Sequence, residues 1–416
     1  MHSVTSTLRR GALILSVGLI ASATFALPVQ AAAGHQRRAA AHSWDARSQS
    51  AQSLTRRQVR TGAGAWRLVR VFSAHSHVTG GSVTLSDIDA LGPADAWVIG
   101  TIQNEGNTVR ALVGHWNGRA WSRVALPPGL AARFRGAAAI SITASSARNV
   151  WAFTEAGTYL RLTGNRWRFG RLPKYVMGRH DFVESAEVLS PTNVWVFGTH
   201  YIGSIYKLNF VPFAARFDGR SWHAVKIRGV GSIGPVSVIS PANMWGLTGA
   251  VLPAIGLPNH PKVVRWTGSA WRPIAVQPRL PKHATLDGIL AYSGHDVWVG
   301  GSVPNDKTGT SELALHWNGK SWTTMSPPAR QSSADEFLIS LVPDGSGGLW
   351  AAAEALPGPA RFWHYSNGAW APPVAVKSDW LYPELAAVPG TTSTWAVAAS
   401  PGLVRGLILV HGALPR

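Results

Sequence analysis

Apolar and polar positions along this chain alternate in short bursts, and no helical period of apolar residues spans the intervals between them. The clearest burst is an apolar run that gives way to a small-residue turn, then Asp or Asn, one apolar residue and Trp. It holds Trp97 (Asp95-Ala96-Trp97), Trp151 (Asn149-Val150-Trp151), Trp195 (Asn193-Val194-Trp195), Trp245 (Asn243-Met244-Trp245) and Trp298 (Asp296-Val297-Trp298), and in degenerate form Trp350 and Trp395. The intervals are 54, 44, 50, 53, 52 and 45 residues, so the pattern is an internal repeat. A second set, Trp121, Trp167, Trp222, Trp271, Trp322 and Trp370, follows turn signals such as Asn117-Gly118, Asp218-Gly219, Asn318-Gly319 and Asn367-Gly368. Asn-Gly and Asp-Gly are favoured in type I′ hairpins, where both central residues take positive φ, so tight two-residue turns are expected there.

Each unit therefore reads as four short strands: an apolar first strand (186–189 in the third unit), a second opening at the first Trp, a third, and a fourth opening at the second Trp. Four strands in about 50 residues is the period of a β-propeller blade. The seventh unit reaches a third strand at 406–411 with no fourth after it, while Trp66 in Gly64-Ala65-Trp66-Arg67-Leu68-Val69 is a surplus fourth strand before the first unit. The sequence predicts an all-β, seven-bladed propeller over 61–416, its last blade closed by the strand around Trp66, which leaves the ring without an open seam.

The ends and the charge add to this. Arg9 and Arg10 precede an apolar run from Gly11 through Leu27 and then Ala31-Ala32-Ala33, so residues 1–33 read as an export signal; cleavage after Ala31 fits as well, and an uncleaved anchor is the alternative. Residues 34–60, with six arginines and Asp45 among Ala, Ser and Gln, read as a basic disordered linker. Of the formal +19, residues 61–416 keep +12 once the two signal arginines and the linker's net five are set aside. That surplus favours anionic partners outside the cell, although it also serves solubility. Without any cysteine, the exported fold rests on its core alone. No later segment is apolar for long enough to span a bilayer. An extracellular or wall-associated monomer is expected.

In period and Trp placement, residues 61–416 resemble β-propeller repeat proteins of the kelch and galactose-oxidase-central-domain type, without the regular Gly-Gly doublet of kelch blades. The hairpins Trp116-Asn117-Gly118-Arg119-Ala120-Trp121 and Trp317-Asn318-Gly319-Lys320-Ser321-Trp322 are similar to those of bacterial seven-bladed propeller lectins, which bind sugars.

Most chemistry-bearing side chains fit scaffold roles. Fourteen of the twenty tryptophans, Trp66 included, occupy the two repeated positions. Each buries about 150 to 250 Å² between blades, a gross gain of about 4 to 6 kcal/mol. His115, His316 and His364 share one repeat position, held elsewhere by Arg161, Arg216 and Arg265. It lies beside the start of the second strand, so the expected pairs are Asp95 with His115, Asp296 with His316, Asn149 with Arg161, Asn193 with Arg216 and Asn243 with Arg265. No His or acid spacing matches a zinc or calcium site, so no metal and no cofactor is expected. The resemblance to galactose oxidase does not extend to its copper-radical site, which needs a Tyr crosslinked to Cys. A sialidase-like hydrolase or lyase is the alternative, from Arg133, Arg135, Arg179, Tyr175 and Asp181, or from carboxylates among Glu336, Asp287 and Glu384.

The one-to-two and three-to-four turns of a blade share one face and repeat here, whereas the two-to-three and interblade loops share the other and differ. Binding is expected on that variable face. The candidates are Tyr175, Arg179, His180 and Asp181 within 171–185, Tyr201 and Tyr206 within 198–210, Asp306 within 301–313, and Trp380 and Tyr382 within 374–384. Tyr and Trp outside the repeat positions suit stacking on sugars or anchoring a protein. The reading is a secreted, non-catalytic binding propeller for cell-wall or other carbohydrate, an anionic polymer or a protein partner.

Overall fold

The computed structural model describes residues 66–413 apart from 74–80, 104–107, 135, 205–206, 228–232, 249–260, 277–279, 282, 306–308, 329–334, 357, 376–380 and 401–404. The signal and linker expected over 1–33 and 34–60 lie outside the described residues, and no helix among those described is long and apolar enough to cross a membrane.

The strands form seven antiparallel sheets. Strand β1 (Arg67–Ser73) stands apart in sequence from the sheet it joins. Blade 1 is β2 (Ser82–Gly92), β3 (Asp95–Gln103), β4 (Val109–Trp116) and β5 (Trp121–Arg123). A one-turn helix α1 (Pro128–Arg133), opened by its own proline, leads to blade 2: β6 (Ala139–Ser146), β7 (Asn149–Thr154), β8 (Thr158–Thr163) and β9 (Arg166–Arg171). Blade 3 is β10 (Phe182–Ser190), β11 (Asn193–Ser204), β12 (Lys207–Phe217) and β13 (Trp222–Val225); blade 4 is β14 (Ile233–Ser240), β15 (Asn243–Thr248), β16 (Lys262–Trp266) and β17 (Trp271–Ile274). Blade 5 is β18 (Thr285–Ser293), β19 (Asp296–Asn305), β20 (Gly309–Trp317) and β21 (Trp322–Thr324). Blade 6 is β22 (Asp335–Pro343), β23 (Leu349–Leu356), β24 (Arg361–Ser366) and β25 (Ala369–Trp370), with β26 (Val374–Ala375) also on β24. Blade 7 is β27 (Leu381–Ala387), β28 (Thr394–Ala399) and β29 (Arg405–His411), and its fourth strand is β1, paired with β29 from Arg67 opposite Val410 to Ser73 opposite Arg405. Closure by the strand beside Trp66 is thus observed.

First strands pack on one another right round the ring, β27 back onto β2, so they surround the axis and the fourth strands form the rim. An innermost strand is a sheet edge with free N–H groups, and the preceding blade satisfies several of them. The N–H groups of Ile142 and Ala144 donate to Asp87 and Asp89 at 2.8 and 2.7 Å, and those of Val188, Ala291 and Leu385 to the hydroxyls of Thr143, Ser237 and Ser340 at 3.2, 2.9 and 3.2 Å.

Seven apolar clusters fill the seven interfaces between blades. In each, the first Trp of one blade shares the cluster with the second Trp of the next: Trp97 with Trp167, Trp151 with Trp222, Trp298 with Trp370, Trp395 with Trp121. Trp66 completes the set at the blade 6–7 interface, 4.2 Å from Phe362 in a stack and 5.5 Å from Trp350 edge-on.

The polar pairs form at four of the five expected places. His115 and His316 lie 2.9 Å from Asp95 and Asp296, and Arg216 and Arg265 donate to Asn193 and Asn243 at 2.7 and 2.9 Å. A further pair joins His364 to Asp344 at 2.9 Å. Each histidine also stacks on the Trp opposite it, at 4.1 Å on Trp97, 4.5 Å on Trp298 and 4.3 Å on Trp350. Blade 2 departs from the rule: Asn149 instead takes the Trp151 indole N–H, and Arg161 lies over Trp151 at 4.7 Å and donates to the Pro191 carbonyl.

The expected type I′ geometry holds only at Asn367-Gly368, where φ is 51° and 80°. At Asn117, Asp218 and Asn318 the connection is four residues long, because the side-chain oxygen accepts the N–H groups two and three residues on at 2.8 to 3.0 Å. That local bond outcompetes the tighter hairpin. Only the following glycine then takes positive φ, 87° at Gly118.

Candidate binding face

The interblade connection from blade 2 to blade 3 is pinned from below. Leu172, Val176 and Met177 are buried in the blade 2–3 cluster, and the N–H groups of Val176 and Met177 close a turn on the Pro173 carbonyl at 2.9 and 3.1 Å. The turn leaves Lys174, Tyr175, Arg179 and His180 exposed. Asp181, only 8% exposed, anchors the end of the connection: its carboxylate accepts the Gly178 and Tyr201 N–H groups at 2.5 and 3.1 Å and lies 2.6 Å from His200 Nδ1. His200 packs on Phe213 at 4.7 Å, and the Thr199 hydroxyl donates to Glu184 at 2.6 Å. Tyr201 stands between His180, edge-on at 6.3 Å, and Phe210 at 5.7 Å.

Among the expected site residues, His180 and Asp181 at the end of the connection therefore meet Tyr201 of the long β11–β12 hairpin at the loop end of blade 3. Arg179 is exposed on the same connection. Tyr175 turns to the outer flank, where its hydroxyl donates to the Trp222 carbonyl at 2.7 Å. Tyr206, Asp306 and Trp380 lie outside the described residues, and for Tyr382 only the backbone, in β27, is described. His200 was not singled out from the sequence; its polar neighbours in a long hairpin were the available signal.

The sialidase-like constellation is not assembled among the described residues: Arg133 lies 4.2 Å over the Phe169 ring, Tyr175 faces Trp222 and Asp181 faces His200, while Arg135 is outside them. Glu336 is buried in an ion pair with Arg361. Among the described residues no three His, Asp or Glu side chains are placed to hold a metal ion.

The axis carries a charge pattern that the sequence reading overlooked. The seven innermost strands contain eight acids and no Lys or Arg, inside a strongly basic chain. Burial raises Asp87 to about 7, with Asp89 adding to it, and raises Asp89 to about 6. Burial lifts Glu384 to about 8, with Asp87 and Glu354 adding, and lifts Glu187 well above the carboxylate range, with Asp89 and Asp87 adding. Asp287 is held at about 6 by burial, against donation from the Thr285 hydroxyl.

No protein-family model matches the chain, and no curated protein matches it in sequence. Solved structures do match. The structure titled "YCF48 bound to D1 peptide" is 13% identical, covering 85% of this chain and 96% of that one with a TM-score of 0.53. That of U3-55K is 9% identical, covering 84% and 98% at 0.51. The fucose-specific lectin from Aleuria aurantia is 13% identical, covering 72% and 96%; its TM-score of 0.42 carries no argument about ligand. The two likenesses above 0.5 establish the propeller fold and nothing finer.

Proposed function

We propose that this chain is a secreted, non-catalytic binding propeller of the cell exterior whose loop face takes a wall or surface carbohydrate at the blade 3 cluster. The observation that carries this is the arrangement around Asp181: one buried carboxylate fixes His200 and the Tyr201 backbone, with His180 against the Tyr201 ring. Rigid aromatic and imidazole faces beside polar edges suit the apolar face and hydroxyl rim of a sugar. The kelch-type kinship belongs to the same reading and rests on repeat period and Trp placement. The structure titled "YCF48 bound to D1 peptide" keeps a protein partner as a further ligand class for such a face. A hydrolase reading draws on one observation, the raised carboxyls of Glu384 and Asp287 at the axis, since a protonated acid can serve glycoside cleavage.

A glycan array at low and high salt tests the proposal. Binding of a neutral glycan that varies little with salt and falls at least about tenfold in Tyr201→Ala is expected, a loss of about 1.4 kcal/mol. Binding that survives Tyr201→Ala and His180→Ala but vanishes on substitution at Asn117 or Asn318 sets the site on the opposite face and refutes it. Release of reducing sugar that Glu384→Gln abolishes would establish the hydrolase instead.

A further inference from the structure

We propose that the outer rim of blades 1 and 2 is a docking surface for a linear phosphate polymer, separate from the loop face. Residues 106–180 hold twelve Arg or Lys side chains, of which Lys174 and Arg179 belong to the loop-face connection and Arg135 lies outside the described residues, and a single acid, Glu155, which is 3% exposed and so contributes nothing to the surface. Arg123 on β5, Arg133 on α1 and Arg166, Arg168 and Arg171 on β9 are all exposed. Among the described residues none of these five pairs with a carboxylate.

The arginines lie on both flanks of the rim edge of blade 2: Arg133 on the side of Trp167 and Phe169, and Arg166 and Arg168 on the side of Arg161. Helix α1 bridges the two blades through Arg133, which lies 4.2 Å over Phe169 of β9. Between α1 and the edge of blade 1 runs a groove of about 310 Å³, lined by Ala111, Arg123, Val124, Ala125, Leu126 and Ala131. Beyond the helix, β9 is the outermost strand of blade 2, with an unpaired edge whose N–H groups add donors.

Two features point to an anionic occupant. Arg161 and Arg168 are direct cross-strand partners in blade 2. Like charges at such a position destabilise the sheet, and a bound anion relieves them. Burial, with Arg168 adding, also disfavours charge on Arg161. In addition, these five exposed rim cations are all arginine, whose planar fork matches the oxygens of a phosphate better than a lysine's point charge does.

The spacing selects a polymer over a single ion. Arg166 and Arg171 bracket β9, five residues apart on an extended strand and about 17 Å from one to the other, a span that successive groups along a chain can cover and one phosphate cannot. Trp167 and Phe169 turn inward to the blade 1–2 cluster, so recognition works through charge and not through stacking on bases.

The test titrates inorganic polyphosphate into the protein at about 50 and about 200 mM salt. Arg166→Glu/Arg168→Glu is expected to lower affinity at least about tenfold and to reduce the slope of log K against log salt by about 2, one for each cation removed. Its melting temperature is expected to hold or rise, because the Arg161–Arg168 repulsion is gone. Arg272→Glu supplies the control: Arg272 faces Arg265 across the same kind of pair in blade 4, outside the surface, so stability rises with affinity unchanged. Arg123→Gln/Arg133→Gln, which leaves β9 untouched, repeats the loss if the β9 variant fails to fold. Wild-type affinity in both double variants, or an equal loss in Arg272→Glu, overturns the proposal. Tyr201→Ala leaves polyphosphate binding intact, so the loop-face reading and this one fail separately.

Discussion

Replacing Asp287 with Asn isolates the electrostatic cost of an acidic axis. Asp287 is the simplest of the axial acids, because burial alone raises it, from 3.8 to about 6, with the Thr285 hydroxyl opposing. Two pH units correspond to about 3 kcal/mol at about 1.36 kcal/mol each. That is a ceiling, since the half-buried carboxyl keeps some contact with channel water, which screens its charge. The folded chain binds this proton more tightly than the unfolded chain does, so the penalty is absent below about pH 4, grows as the pH rises, and is complete above about pH 6. Asn cannot ionise and still offers Thr285 an acceptor. The variant should therefore match the parent near pH 4 and exceed it by about 1 to 3 kcal/mol at pH 7.5 and above. Urea unfolding followed by tryptophan fluorescence at several pH values reads this directly, provided the slope against urea is common to both proteins. A difference that does not change with pH, or a variant that is less stable at pH 7.5, would refute the reasoning.

Trp66→Ala should cost about 3 to 5 kcal/mol, as for other buried Trp truncations, and a chain begun at residue 75, which lacks β1 altogether, should melt well below the parent or be insoluble; equal melting of all three would remove β1 as the closing strand. His316→Ala should cost about 0.2 to 1 kcal/mol for the lost cross-strand pair, and chelator should leave both parent and variant melting curves unmoved; loss of a bound metal on this substitution, with stability unchanged, would show that the position is a ligand and not a clamp.

The ring was legible because its evidence repeats. One Trp position could be accidental, but Trp97, Trp151, Trp195, Trp245 and Trp298 share their polar neighbour two residues before, and the same context located the Asp and Asn ends of four observed clamps. Trp66 was identified by what blade 7 lacked. The turns at Asn117, Asp218 and Asn318 were misjudged because the residue that favours a two-residue hairpin also carries an oxygen able to cap a four-residue one. Asp344 was missed as the partner of His364 because its turn, Asp344-Gly345-Ser346-Gly347-Gly348, is longer than the others and shifts the acid away from Trp350. The axial acids stayed hidden for a different reason. They come one or two to a blade in five of the seven blades, each looks like an ordinary polar residue in its own strand, and only the ring brings Glu187 and Glu384 within the influence of Asp87. On the loop face, Asp181 was named but its partner was not, since the β11–β12 hairpin runs longer than the matching hairpins β3–β4 and β19–β20, and the repeat gives no register for its extra residues.

The seam in blade 7 also governs how the molecule can be assembled. Arg67 donates to the carbonyl of Gly412, 345 residues away along the chain, and neighbouring pairs of β1 and β29 are almost as remote. Joining ends that far apart costs about 5 kcal/mol in chain entropy before any contact is made, so this pairing is the least local event in folding and belongs late in its order. Until it happens, blade 7 is a three-stranded sheet with a bare outer edge, and Trp350 and Phe362 lack the ring that covers them. A chain emerging N-terminus first must keep its first strand uncommitted while six blades form, exposed all that time to the wrong partners: the corresponding edge of another copy is the nearest substitute, and a strand exchanged there would link two rings at the position that normally closes one.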